Sequence, residues 1–154
     1  MVSGGEHVER LFPGLRGKAW KITSPPESQY NCIAWSASDT AQWWWPGDPA
    51  DGYYWPEGVE KAETLAAFIA AYALMGYAEC VDSAQEAGYE KIAIFATPDG
   101  IPTHAARQLP NDRWTSKLGR LEDIEHDLLD VCGQIYGSVV KVVRRPQSTG
   151  VQTE

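Results

Sequence analysis

Sulfur and imidazole chemistry rests on six side chains of the 154-residue sequence: Cys32, Cys80, Cys132, His7, His104 and His126. The cysteines are odd in number, widely spread and without a CxxC pair, which excludes a disulfide scaffold and a four-cysteine zinc site. The histidines form neither HxxxH nor HxH, so no metal site and no cofactor are expected. Cys32 has the richest surroundings. It lies in Asn31-Cys32-Ile33-Ala34-Trp35-Ser36-Ala37, where Ile33 and Ala37, or Ala34 and Ala41, share single helical faces. The sulfur then falls in the first helical turn, where unpartnered N–H groups and the positive end of the helix dipole favour a thiolate. The same N–H groups would hold an oxyanion formed when the thiolate attacks a carbonyl. The competing role for a free cysteine is that of a small buried hydrophobe.

A nucleophile needs a base on a neighbouring element, and His104 opens a strand directly after a Pro98-Asp99-Gly100 turn. The elements that must bring the two together read as follows. A short strand runs through Ala19–Thr23 and is broken by Ser24-Pro25-Pro26-Glu27-Ser28. A helix opens near Tyr30–Asn31 and stops before Pro46; a turn-rich aromatic loop covers Gly47 to Gly58. Leu65, Phe68, Ile69 and Tyr72 repeat at helical spacing, predicting a helix from Glu60 to Met75 capped by Gly76. Tyr77–Val81 reads as a strand, and Ser83-Ala84-Gln85-Glu86 fits a capping box for a helical turn ended by Gly88. Lys91–Thr97, Pro102–Leu109 and Arg113–Leu118, joined by tight turns, predict an antiparallel meander. Leu121, Ile124, Leu128 and Val131 predict a further helix, and Val139–Val143 a last strand. Helices first and an antiparallel sheet second make an α+β order.

These residues resemble a known superfamily. A helix-opening Tyr30-Asn31-Cys32-Ile33-Ala34-Trp35 followed by an antiparallel sheet with His104 near a strand start is similar to papain-like cysteine hydrolases. Their bacterial branches include the NlpC/P60, CHAP and transglutaminase-like domains. The segment from Thr103 to Gly119 resembles one found in uncharacterised bacterial and phage proteins. What the resemblance implies is a papain-like α+β fold, with the cysteine helix packed on a small antiparallel sheet, and acyl chemistry on an amide. Cys32 would be the nucleophile, His104 the base, and Tyr30, Asn31, Trp35 and Trp45 the residues along the substrate. The residue that orients the histidine departs from the family pattern. The window after His104 holds Thr115, Ser116 and Lys117 but no carboxylate or amide, with Asp123 just beyond. A two-residue turn at Asn111-Asp112 puts Thr115 and Lys117 on the face of His104, whereas a three-residue turn puts Ser116 there. Ser116 is favoured.

The other candidates carry less chemistry. Cys80 and Cys132 read as packed thiols, and His7 carries no argument. His126 falls among Glu122, Asp123, Glu125 and Asp127, which predicts a solvated face and a raised pKa. Trp43-Trp44-Trp45 and Tyr53-Tyr54-Trp55 either wall a cleft beside the thiol or roof the core, and roofing is favoured because three consecutive tryptophans cannot share one face. The chain reads as a single domain over 1–154, with a core at about 8–146 and frayed ends at 1–5 and 147–154. A net charge of −8 argues against nucleic acid or an anionic membrane as partner, and no apolar run approaches the roughly 18 residues of a membrane span. No secretory signal is visible, so a cytoplasmic location is expected, with delivery by lysis or a secretion system left open. The substrate would be a protein, a peptide or a small amide. Two other classes stay in view: a non-catalytic binding module of the same fold, and an acidic inhibitor or immunity-type protein meeting a basic partner.

Overall fold

The computed structural model describes residues 6–26, 29–118 and 121–147. Its centre is a seven-stranded antiparallel sheet in the order β1-β8-β7-β6-β5-β9-β4. The strands are β1 (Lys21–Ser24), β4 (Ala78–Cys80), β5 (Tyr89–Ala96), β6 (Pro102–Gln108), β7 (Trp114–Lys117), β8 (Asp123–His126) and β9 (Ser138–Pro146). A parallel pair of two-residue strands, β2 (Trp43–Trp44) and β3 (Tyr53–Tyr54), stands apart. The helices are α1 (Glu6–Leu11), α2 (Cys32–Ser36) and α3 (Leu65–Ala73), with 3-10 turns at Pro13–Leu15, Pro49–Asp51 and Leu128–Val131. The architecture is mixed α+β, with few helices and a mostly antiparallel sheet.

Side chains alternate across each strand, and the sheet has a core on both faces. Ile92, Ile94, Ala105 and Val143 face α2 and α3. Ala93, Phe95, Ala106, Trp114 and Ile124 face α1 and the 3-10 turns. The predicted meander is present as β5–β6–β7. Its second turn holds Asp112 at φ 69° and sets Arg107 opposite Thr115 and Gln108 opposite Trp114, the three-residue alternative.

Several expected elements differ. α2 is only Cys32–Ser36, because Ala37 caps it and Ser38 turns left-handed at φ 66°. α3 begins after Thr64, whose hydroxyl accepts from Ala67 N–H, so residues 60–64 of the expected helix are not helical. Ser83–Glu86 is irregular, since Asp82 takes the Ala84 N–H instead. The helix expected over Leu121–Val131 is instead β8 plus a 3-10 turn, with Trp114 opposite His126 and Ser116 opposite Ile124. Gln147 is not frayed: its N–H donates to Gly88 and its side chain to Tyr89. The ends at 1–5 and 148–154, the strand break at Glu27–Ser28 and Gly119 of the Thr103–Gly119 segment lie outside the described residues.

No described helix is long and apolar enough to cross a membrane.

Candidate functional site

Asn31 builds the start of α2. Its side-chain oxygen accepts from Ala34 N–H at 3.1 Å and from Trp44 N–H at 3.1 Å, while its amide donates to Trp44 C=O at 2.7 Å. One side chain thus caps the helix and ties β2 to it. Cys32 follows as the first helical residue, buried at 6 % exposure. Backbone N–H groups of Ala105 and Ile33 point at its sulfur, but burial outweighs them and pushes the thiol up to about 11. In this state the sulfur keeps its proton.

The Ala105 donor locates the thiol. The β6–β7 ladder runs through Arg107–Thr115 and Gln108–Trp114. Ala105 lies beyond those pairs, and its N–H serves the sulfur, so Cys32 enters where the two strands part. Trp35 docks the helix there: its indole N–H donates to Thr115 Oγ1 at 2.9 Å, and Arg107 lies over its ring. Tyr30 stands before the helix, with its hydroxyl donating to Asp123 at 2.9 Å and its ring 5.2 Å from the Lys117 ammonium.

His104 points to the other face of the sheet. It pairs in register with Phe95, meets that ring edge-on, and is stacked at 3.8 Å under Tyr136. Its Nε2 lies 2.8 Å from Ser116 Oγ, which lies 2.7 Å from Nε2 of His126. His126 Nδ1 lies 2.8 Å from the Asp127 carbonyl. These partners fix every proton. A carbonyl only accepts, so His126 carries its proton on Nδ1 and offers Nε2 as acceptor to Ser116. Ser116 therefore accepts from His104 Nε2–H. That leaves His104 Nδ1 as a bare lone pair, fully buried and without a hydrogen-bond partner. Burial holds His104 well below its ordinary value, with the neighbouring His126 acting in the same direction.

Placement of the sequence candidates is therefore mixed. His104 and Ser116 are bonded as the three-residue turn implies. Cys32 and His104 are not hydrogen-bonded to each other; they approach the β6–β7 opening from opposite faces. Tyr30, Asn31 and Trp35 surround the start of α2. Trp45 packs edge-on against Phe68 of α3 and donates its indole N–H to Glu63. His126 corrects the sequence expectation: it is fully buried rather than solvated, and burial lowers it to about 4 instead of nearby acids raising it. Sequence reasoning missed it because a helix was expected there, whereas in β8 Asp123 and Glu125 alternate with it and point to the opposite face. Tyr136, also buried, was missed as well; Lys117 and Asp123, two other candidates to orient His104, are buried on the opposite face, where Asp123 takes the Tyr30 hydroxyl. Next to β2 and β3, a shallow hollow of about 490 Å³ is lined by Gln29, Trp43, Asp51, Tyr53 and Tyr54 among others. Among the described residues, no group of three His, Cys, Asp or Glu is arranged to hold a metal ion.

Fold and site together define an α+β domain with a buried thiol on one face of a parted sheet and an imidazole relay on the other. The chain belongs to the family described as a domain of unknown function (DUF7689), whose model matches residues 21–144. No curated protein matches the chain, and no solved structure does.

Proposed function

We propose that this protein is a cysteine-dependent amide hydrolase or acyltransferase of papain-like architecture, acting on a protein, peptide or small amide. The observation that supports this most is the bare Nδ1 of His104. A buried acceptor without a partner costs about 1–3 kcal/mol, and here a neighbouring relay maintains it by holding the proton on Nε2. That is the tautomer a general base for a thiol requires. In the proposed reaction Nδ1 takes the Cys32 proton as sulfur attacks the amide carbon. The imidazolium then protonates the departing amine, and water or an amine resolves the thioester. N–H groups of Ile33 and Ala105 are the candidate oxyanion donors. The reading requires two movements: Tyr136 must lift from His104, and sulfur and Nδ1 must close together through the β6–β7 opening.

A second reading, the non-catalytic binding module, is favoured by the thiol itself, which is shut from solvent and held protonated. The two readings rank the three cysteines differently. Burial alone predicts that half-buried Cys80 and Cys132 are alkylated before Cys32. The catalytic reading predicts that a peptide-based electrophile labels Cys32 first, as read by peptide mass spectrometry. It also predicts that folded His104→Ala loses that preference. Labelling in the order of exposure would overturn the enzymatic proposal in favour of the binding module.

A further inference from the structure

Lys117 is a fully buried lysine that the relay does not use. A buried ammonium is costly to keep and needs compensation. Lys91, the other buried lysine, is compensated at the surface: its head reaches Asp82 and Glu86. Lys117 is turned the opposite way. Register sets it opposite Asp123, whose carboxylate takes the Tyr30 hydroxyl, and its ammonium donates to Leu121 C=O at 2.6 Å and lies 5.2 Å from the Tyr30 ring centre. Tyr30 is two residues from Cys32. Alternation along β7 places Lys117 with Thr115, which binds Trp35 of the cysteine helix, and opposite in direction to Ser116. The positive charge therefore belongs to the sulfur's face of the sheet, while the face of His104 carries a neutral relay.

We infer that Lys117 is the electrostatic partner of the Cys32 thiolate: its ammonium, bonded to Leu121 C=O and facing the Tyr30 ring on the sulfur's side of the sheet, lowers the cost of charging the sulfur. This deepens the proposed function and rests on Cys32 being the nucleophile. The groups facing this pair are Tyr30 and Tyr72 from the helical layer, Arg107 from β6, Asp123 from β8, and Tyr136 from beyond the opening. Lys117 lowers the thiol against its burial, and Arg107 senses Asp123. In a small site the lysine gives a division of labour. The fixed charge stabilises the anion, and the neutral imidazole, poised by its relay, accepts the proton.

The test is the pH profile of Cys32 alkylation by iodoacetamide in the otherwise intact chain carrying Cys80→Ser and Cys132→Ser. Lys117→Met moves the midpoint up by about one pH unit, a roughly tenfold slower reaction at a fixed lower pH. Lys117→Arg restores most of the rate. Asp123→Asn, which removes the neutralising carboxylate and keeps an acceptor for Tyr30, moves the midpoint down. Simple loosening behaves otherwise, multiplying the rate at every pH without moving the midpoint. An unmoved midpoint in Asp123→Asn or in folded Lys117→Met overturns the inference, and Asp123→Asn keeps the test decisive where Lys117→Met does not fold. The readout needs no turnover. A shifted midpoint with no peptide-electrophile preference for Cys32 sinks the hydrolase reading alone, and an unshifted one with that preference intact sinks Lys117 alone.

Discussion

The two faces of the sheet solve the same problem, buried polar groups, in opposite ways. On the α2 face, β7 and β8 bury two ionisable side chains, Lys117 and Asp123, set opposite each other in register. On the other face of the same strands the buried groups are neutral: His104, Ser116 and His126 pass a single direction of hydrogen bonding down to the Asp127 carbonyl. The α2 face also holds the thiol, and the other face holds a buried imidazole nitrogen, His104 Nδ1, that lacks a hydrogen-bond partner. Charge is kept where an anion would form, and an uncharged acceptor is kept where a proton would go. A neutral relay is cheap to bury only while it stays neutral, so it depends on its roof; buried ionisable groups depend on the groups around them.

The roof gives the largest expected effect. Tyr136 is stacked on His104 and followed by Gly137, which sits at φ 75° where a Cβ would lie 2.0 Å from the Ala96 carbonyl oxygen. Gly133 and Gly137 close the loop by exchanging two backbone bonds at 2.9 and 2.7 Å. Gly137→Ala is expected to cost about 4 kcal/mol or more in urea unfolding, combining left-handed strain with a clash against backbone. Gly100→Ala supplies the reference: φ is 86° there, but nothing lies within 4 Å, so only about 1–2 kcal/mol of left-handed strain is expected. Equal costs at the two glycines would mean that the roof is not seated on β5.

Acid distinguishes the faces by sign. His126 is lowered from 6.5 to about 4, so the unfolded chain binds its proton first. Stability from this group is complete above the unfolded value and falls as pH drops from about 6.5 toward 4, by about 3 kcal/mol in all. His104, also lowered, acts in the same direction. Asp123 is raised by burial, so the folded chain binds its proton first and stability is regained as pH falls through that raised value. Urea unfolding across this range should therefore show His126→Gln flattening the loss and Asp123→Asn steepening it. Parallel changes in the two variants would erase the distinction between a neutral and an ionic face.

Local chemistry made much of this legible. The helix opening at Tyr30–Asn31 and the meander joined by Pro/Asn/Asp/Gly turns both follow from the sequence. The choice of Ser116 over Thr115 rested on turn length alone, and Asp112, tolerating φ 69°, makes it three residues. Long-range decisions were not legible. Leu121, Ile124, Leu128 and Val131 fit a helix as well as any segment of the chain, yet β7 recruits residues 123–126 as a strand; a four-residue run is too short for alternation to outweigh helical spacing. That recruitment buries His126. Nor does any local signal say which face of β6 the cysteine helix covers, because β6 is apolar on both faces: Ala105 and Ala106 are both fully buried.

Docking of that helix sets the smallest effect and the finest test. Trp35 holds α2 to β7 through one indole N–H on Thr115 Oγ1 and accepts Arg107 over its ring. Trp35→Phe keeps an aromatic face and removes the bond, leaving a hydroxyl that can turn elsewhere, so about 1 kcal/mol of stability should be lost. The informative readout is local. If α2 is what carries the sulfur into the β6–β7 opening, Trp35→Phe should quicken hydrogen exchange at Ala105 N–H, which the thiol covers. His104 and its relay, bonded to β7 and β8 from beneath, should keep their imidazole NMR shifts. Loss of both together would show the two faces to be one cooperative unit, and the separate control of anion and proton argued from their geometry would fall with it.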